Sequence, residues 1–223
     1  MVKVFAIHTA FALVEPLTVL FKENLPGVKL NHIVDDSLIQ EVIASNNTVT
    51  NQVRKRLLNY YISAVDAGAD IIFNVCSSVG DVAETGRTIV SIPLLRIDDP
   101  MAIEAVKTSK HIGVLGTLPT SLGPTASLLK RKALELNKEV ELVEGLAEGA
   151  FEAVMSGDKE THDNLILKAS ENIADKVDLI VLTQGSMAHM EQKLAEVCGK
   201  RVLSSPLSGV LGVKEFMKTN GLI

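Results

Sequence analysis

Short apolar runs alternate along this chain with longer stretches in which apolar residues recur at helical spacing. The runs predict eight strands, over 2–7, 28–34, 71–75, 89–97, 111–116, 140–143, 179–182 and 201–203. The helical spacing predicts helices between them, among others over 49–64, 124–136, 158–174, 187–197 and 209–217. Strands that alternate with helices pair in parallel, so the pattern predicts an α/β fold of parallel sheets flanked by helices.

The two halves of the chain repeat one another at an offset of 108 positions, as Asp70-Ile71-Ile72 and Asp178-Leu179-Ile180 illustrate. Other equivalent positions are Thr9 and Thr117, Cys76 and Gln184, and Ser78 and Ser186. A helix beginning near Pro100 marks the passage between the halves. We therefore predict a first α/β unit over 1–97 with 206–223, and a second unit over 98–205.

Composition and charge exclude several classes of partner. A net charge of −5 without a lysine or arginine cluster argues against nucleic acid, and no apolar run is long enough for a membrane span. Two cysteines without a pairing framework, and a start without a signal-peptide layout, favour the cytoplasm. The five histidines and two cysteines show no metal-ligand spacing, so we expect no metal.

The candidate chemistry lies where the predicted strands end, because open parallel sheets bind ligands at that edge. Cys76 ends the third strand just before a predicted helix, whose dipole favours the thiolate. We expect an anion pocket between the two halves. Its predicted lining is His8, Thr9, Asn74, Cys76, Ser77, Ser78, Thr117, Thr120, Ser121, Gln184, Gly185, Ser186 and His189.

This lining is small, hydroxylic and nearly neutral, and helix starts supply backbone N–H groups, so a small carboxylate is the expected ligand. A nucleotide is disfavoured because neither G-x-G-x-x-G nor a Walker lysine motif is present. Simpler structural roles remain open at several positions. Gln184 and the serines can cap loops and helices, and His32 and His162 can be structural or solvated. Arg96 can reach a distal carboxylate of the substrate, but a solvated arginine or an ion pair between the halves is favoured.

Three segments resemble motifs of the aspartate/glutamate racemase superfamily, which also contains hydantoin racemases, maleate isomerases and arylmalonate decarboxylases. They are Asn74–Ser78, Gly113–Thr117 and Val181–Met187. The resemblance implies two flavodoxin-like halves related by a pseudo-twofold axis, no cofactor, and often a homodimer. It also implies a proton transfer at the α-carbon of a small carboxylate such as an amino acid, carried out by two cysteines, one per half.

Here Gln184 stands where the second cysteine is expected, and an amide is neither an acid nor a base at neutral pH. A two-thiol racemisation is thereby excluded. Racemisation by Cys76 with His189 or His8 as the opposite acid remains open. So do a single-thiol decarboxylation, a cis–trans isomerisation or a hydrolytic cleavage, and so does a catalytically decayed protein that only binds small acids.

Overall fold

Parallel pairing of short buried strands organises the chain, as the alternation of strands and helices predicts. A computed structural model describes residues 1–223 and contains two four-stranded parallel sheets flanked by helices, which confirms the predicted fold class. The chain divides into a first unit, Met1–Asp99 with Pro206–Ile223, and a second unit, Pro100–Ser205. None of its helices combines the length and the apolar character that a membrane crossing requires.

The first sheet has the strand order β2-β1-β3-β4, with every pair parallel. Its strands are β1 (Lys3–His8), β2 (Lys29–Val34), β3 (Ile71–Asn74) and β4 (Leu94–Arg96). The helices of this unit are α1 (Val14–Asn24), α2 (Ser37–Ala44), α3 (Asn51–Asp66), α4 (Gly80–Gly86) and α10 (Ser205–Thr219), whose first residue belongs to the second unit.

Side chains of the first sheet alternate between two apolar layers, because successive residues of a strand point to opposite faces. Ile7 and Ile72 pack in a cluster with Leu57 and Tyr61 of α3. Residues of the opposite face pack with α1 and α10 in a second cluster that contains Val4, Ala6, Ile71, Phe73, Leu17 and Val213. The first sheet is therefore covered by helices on both faces.

The second sheet has the equivalent order β6-β5-β7-β8. Its strands are β5 (His111–Gly116), β6 (Glu141–Leu146), β7 (Leu179–Leu182) and β8 (Arg201–Leu203). The helices are α5 (Asp99–Thr108), which starts at the last residue of the first unit, α6 (Pro119–Glu135), α7 (Ala150–Met155), α8 (Lys159–Ala174) and α9 (Glu191–Cys198). Two apolar clusters, one on each face, again enclose the sheet.

The internal repeat extends to individual hydrogen bonds. The Asp70 carboxylate accepts the backbone N–H of Lys3 at 2.8 Å, and 108 positions later the Asp178 carboxylate accepts the backbone N–H of His111 at 3.0 Å. Each hydrogen bond joins the first residue of one central strand to the residue that precedes the neighbouring central strand. The register of β1 with β3 is therefore the same as that of β5 with β7. Cys76 and Gln184 consequently occupy equivalent positions in the two units.

Three elements differ from the sequence prediction. Strand β4 covers three residues instead of 89–97, because the backbone N–H groups of Ile89 and Val90 bond to the carbonyl of Gly86 and so leave the sheet. Helix α6 begins at Pro119 rather than Pro124, since a proline fits the first helical turn, and Pro124 lies inside it. Helix α10 begins at residue 205 rather than 209.

Helix α10 approaches the chain just after β4 through Gly209. A Cβ atom built there would lie 2.7 Å from the carbonyl oxygen of Ile97 and 3.1 Å from its Cα atom. Both are backbone atoms, so the contact cannot be relieved by rotating a side chain. Only glycine allows this close packing.

Replacing Gly209 should therefore destabilise the protein. We expect Gly209→Ala to lower the free energy of unfolding by about 1–3 kcal/mol, the usual cost of overpacking, measured by urea denaturation. Gly123→Ala is the matched control, because Gly123 also lies in a helix and a Cβ there meets nothing within 4 Å. The control should be neutral or slightly stabilising, and equal losses in both variants would contradict the packing account.

Candidate active site

The carboxyl edge of the first sheet collects the predicted site residues of that unit. His8 ends β1 and Asn74 ends β3, and the parallel register pairs Ile7 with Asn74. Thr9 follows β1, and Cys76 stands immediately before the 3-10 turn Ser77–Val79, which leads into α4. These neighbouring strand ends therefore place a thiol, two imidazole nitrogens and several hydroxyls along one edge.

Four hydrogen-bond donors surround the Cys76 sulfur. They are the hydroxyls of Thr9 and Ser78 and the backbone N–H groups of Ser78 and Val79. The residue Cys76 as a whole is partly exposed to solvent, although its sulfur atom is surrounded by closely packed protein atoms. A negative sulfur would be held by all four donors.

The resting charge of Cys76 differs from the sequence expectation. Burial raises the pKa of the Cys76 thiol above its ordinary value, and the four donors only partly offset this effect. The predicted preference for thiolate is thus wrong for the free protein. Its physical basis was a helix dipole, but only a three-residue turn and the seven-residue α4 follow the cysteine, and their field is weaker than the desolvation.

Asn74 holds the backbone of the cysteine in place. Its side-chain oxygen accepts the hydroxyl of Tyr61 at 2.9 Å, and its side-chain nitrogen donates to the carbonyl of Cys76 at 3.0 Å. Asn74 is almost fully buried. Its contacts fix the direction in which the chain leaves β3, and hence the position of the thiol.

A chain of hydrogen bonds fixes the tautomer of His8. The Thr18 hydroxyl has one proton and donates it to the carbonyl of Val14, so at 3.1 Å it must accept from Nε2 of His32. Neutral His32 then accepts at Nδ1 from Nε2–H of His8, 2.9 Å away. His8 is left with a bare lone pair on Nδ1, which is buried and has no partner in the protein. That atom calls for a donor from a ligand or a water molecule.

His8 is uncharged at physiological pH. Burial, with a smaller contribution from His32, lowers the pKa of His8 from 6.5 to about 4. The side chain is only 2% exposed. A neutral acceptor cannot bind a carboxylate by charge, but it can receive an N–H or O–H group.

The second sheet carries the equivalent edge. The Gln184 side-chain oxygen accepts the backbone N–H of Thr117 at 2.8 Å, and its nitrogen donates to the Thr117 hydroxyl at 2.8 Å. Ser121 and Thr183 exchange a hydroxyl hydrogen bond of 2.8 Å beside them. Gln184 therefore clamps the end of β5 to the end of β7 and keeps one amide N–H for another partner.

The remaining predicted residues of the second unit also lie near this edge, but their exposure differs. Thr120 is buried in the first turn of α6, whereas Gly185 and Ser186 open the 3-10 turn Gly185–Met190 and Ser186 is exposed. His189 lies in the same turn. Its two ring nitrogens contact the carbonyl of Ser186 and the carboxylate of Asp163, each at 3.0 Å.

Sequence reasoning missed that His162 and Asp163 lie beside His189. His162 Nδ1 is 2.8 Å from Oδ1 of Asp163, the same oxygen that His189 approaches. The only sequence signal is the adjacent pair His162-Asp163 near the start of a helix, and its partner lies 26 positions away. Arg96, in turn, forms a buried two-point ion pair with Asp98. Both residues belong to the first unit, so Arg96 is not solvated and the pair does not join the two halves.

The two α/β units share one strand order. In each unit, the threonine after the first central strand contacts a residue two positions past the end of the second. The chain belongs to the Asp/Glu/hydantoin racemase family, whose model matches residues 4–211. The resemblance seen in the sequence motifs is thereby confirmed. No curated protein matches the chain significantly in sequence.

Three solved structures that are named as racemases are similar to this chain at low sequence identity. An allantoin racemase from Klebsiella pneumoniae has a TM-score of 0.68 and 15% identity, over 99% of this chain and 89% of that one. A glutamate racemase isoform from Bacillus anthracis has a TM-score of 0.78 and 13% identity, over 99% and 83%. A putative Asp/Glu racemase from Yersinia pestis has a TM-score of 0.73 and 17% identity, over 97% and 99%. These likenesses show the shared fold.

The raised pKa of Cys76 predicts slow labelling at neutral pH. The rate of alkylation by iodoacetamide should keep rising with pH beyond the ordinary thiol range, because only the thiolate reacts. The Cys76→Ser variant gives the Cys198 contribution, which is subtracted. Thr9→Val should shift the profile to still higher pH, since it removes one donor to the sulfur. A Cys76 profile complete below pH 7 would contradict this account.

The lowered pKa of His8 predicts a stability that depends on pH. The unfolded chain binds a proton at His8 near pH 6.5 and the folded chain only near pH 4, so this contribution is complete above pH 6.5 and is lost as the pH falls towards 4. Between pH 7 and pH 4, wild type should lose on the order of 3 kcal/mol more unfolding free energy than His8→Gln. Parallel losses in both proteins, measured by urea denaturation, would exclude a neutral buried His8.

Proposed function

We propose that this protein is a racemase or isomerase-type enzyme that moves a proton at the α-carbon of a small carboxylate, such as an amino acid, with Cys76 as the catalytic residue. The observation that carries the proposal is the Cys76 sulfur within a ring of four donors at the carboxyl edge of the first sheet. Membership of the racemase family supports the same class of reaction. The mechanism, as the family resemblance implies, uses no cofactor.

Cys76 is proposed to alternate between thiol and thiolate. For proton exchange, the Cys76 thiol first releases its proton to solvent, and the thiolate is stabilised by Thr9, Ser78 and the N–H of Val79. The thiolate then takes the α-proton, and the thiol so formed returns a proton to the carbanion. Burial disfavours a permanent thiolate at Cys76, so the negative charge exists only during the reaction. The four donors are in place beforehand and stabilise that charge as it forms.

The substrate carboxylate becomes enolate-like when its α-proton leaves, and its oxygens then require fixed donors. We propose that the hydroxyl of Ser77 supplies one of these donors and that Thr117, Thr120, Gly185 and Ser186 supply others, while the Ser78 hydroxyl stays with the sulfur. The remaining amide N–H of Gln184 suits the same task, because its oxygen and its first N–H already hold Thr117. Whether one substrate contacts both units stays a prediction.

His8 supports a substrate that carries a hydrogen-bond donor. Its bare Nδ1 is an acceptor in buried surroundings, and an amino or ureido N–H would satisfy it. Glutamate, aspartate and allantoin, which the related racemases are named for, all contain such a group. They are accordingly the first compounds to test.

A second candidate is a one-sided reaction, namely decarboxylation or double-bond isomerisation. It is favoured by the amide of Gln184 at the position equivalent to Cys76, since an amide cannot exchange a proton with carbon. His189 as the opposite acid stays a prediction, and both its ring nitrogens are already engaged by Asp163 and Ser186. The cytoplasmic location and the homodimer also stay predictions.

Proton exchange with deuterated water separates these functions. Each enantiomer of glutamate, aspartate and allantoin is incubated with the protein in D₂O, and label and configuration are followed by NMR and chiral chromatography. Exchange with inversion supports the racemase, and exchange with retention supports the one-sided enzyme. Binding without exchange, across this set and a panel of malonates and maleate, would leave only an acid-binding protein and contradict the proposal.

Removal of the thiol should abolish the exchange. We expect Cys76→Ser to lower its rate about 100- to 10,000-fold, the usual contribution of a group that transfers a proton, without loss of folding. Cys198→Ser is the matched control, because Cys198 lies at the end of α9 and bonds to Ser170, away from the edge. Retained exchange in Cys76→Ser would show that another group moves the proton.

A second thiol can be supplied at the equivalent position. In Gln184→Cys the second unit gains the residue that the family resemblance implies. If wild type exchanges with retention, as the one-sided reaction requires, this variant should change towards exchange with inversion. Gln184→Ala serves as the control for losing the Thr117 clamp. If both variants behave alike, position 184 takes no part in proton transfer.

A further inference from the structure

Three potential metal ligands meet in the second unit, outside the Cys76 edge. His162 and Asp163 lie near the start of α8, and His189 lies in the turn Gly185–Met190. Oδ1 of Asp163 is 2.8 Å from Nδ1 of His162 and 3.0 Å from Nε2 of His189. One nitrogen or oxygen atom from each of the three side chains lies within 4.8 Å of the other two.

The tautomer of His189 makes this cluster unusual. Its Nδ1 lies 3.0 Å from the carbonyl oxygen of Ser186, which can only accept, so Nδ1 carries the proton. In the neutral imidazole Nε2 is then a bare lone pair, and it faces a carboxylate oxygen that also has only lone pairs. Two acceptors at 3.0 Å repel one another, so a positive charge has to lie between them.

We propose that His162, Asp163 and His189 form a binding site for a divalent transition-metal ion of the zinc class. Two imidazoles and one carboxylate are a common ligand set for such ions. The Ser186 carbonyl would act as the outer-shell partner that orients a metal-bound imidazole through its other nitrogen. His189 is 38% exposed, which leaves the ion a path from solvent.

Ligand atoms around a tetrahedral zinc ion lie roughly 3.3 Å apart. The ion would therefore lengthen the two direct contacts of Asp163 by a few tenths of an ångström. The two imidazoles, whose ring centroids lie 5.9 Å apart, would turn their ligand nitrogens, which lie within 4.8 Å of one another, towards the ion. Three protein ligands leave one coordination position for water. The site would link α8 to the turn that follows Gln184, and it does not rest on the proposed function.

A proton on Nε2 of His189 is the alternative to a metal ion between His189 and Asp163. If His189 is an imidazolium, it donates from both nitrogens and the pair with Asp163 is an ordinary ion pair. The two occupants differ in what they predict. A metal site binds one ion per chain with all three side chains, whereas an imidazolium needs no ion and stays charged without one.

The test is titration of the full chain, first treated with EDTA, with Co²⁺ followed by visible absorption and with Zn²⁺ followed by calorimetry. We expect one equivalent of each ion, a tetrahedral or five-coordinate cobalt spectrum, and a thermal midpoint that rises with Zn²⁺. Asp163→Asn and His189→Gln should weaken binding by more than the roughly 10- to 100-fold that loss of an outer-shell partner costs. Circular dichroism checks that both variants fold.

His111→Gln is the matched control. His111 also lies beside a carboxylate, with Nδ1 3.1 Å from Oδ2 of Asp178, but it lies outside this cluster. Its replacement should leave the stoichiometry and affinity unchanged. The proposal is overturned if wild type binds neither ion, if Asp163→Asn binds as tightly as wild type, or if His111→Gln loses the site. A nitrogen NMR spectrum showing His189 charged and unchanged by Zn²⁺ would also overturn it.

Discussion

The pairing of β1 with β3, repeated as β5 with β7, sets the chemistry of this protein. It brings the threonine after the first strand to the residue after the second, so the Thr9 hydroxyl reaches Cys76 and Thr117 clamps Gln184. Both pairs are separated by 67 positions in the chain. The two sheets thus provide two equivalent positions, at residues 76 and 184. The type of residue at each position decides whether that edge of its sheet can transfer a proton.

A thiol and an amide at equivalent positions differ in kind. Cys76 can change charge, and its donors are arranged for a negative sulfur that the free protein does not favour, because burial raises the pKa. Gln184 cannot change charge, and it spends most of its hydrogen-bonding capacity on holding its own unit together. This asymmetry fits the proposal that Cys76 transfers the proton, and it excludes Gln184 from doing so.

Much of this architecture can be predicted from the sequence, because strand runs and the repeat are local patterns. The repeat alone indicated that Asp70 is equivalent to Asp178 and Cys76 to Gln184. The sequence-based predictions were wrong for the charge of Cys76 and for the extent of β4, because each depends on a balance of opposing effects. The pKa of Cys76 depends on the balance between burial, which raises it, and the hydrogen-bond donors, which lower it. The start of β4 depends on turn hydrogen bonds to the carbonyl of Gly86. The cluster of His162, Asp163 and His189 joins residues that are far apart in the chain, so no local sequence pattern predicts it.

The central claim is that the Cys76 sulfur reacts at the α-carbon of a bound acid. A crystal structure with a bound amino acid or small dicarboxylate tests it most directly. The account predicts the Cys76 sulfur within about 3–3.5 Å of the α-carbon, the distance at which atoms are ready to react, and Nδ1 of His8 next to a donor of the ligand. A ligand bound away from Cys76, with the sulfur facing only protein atoms, would contradict it.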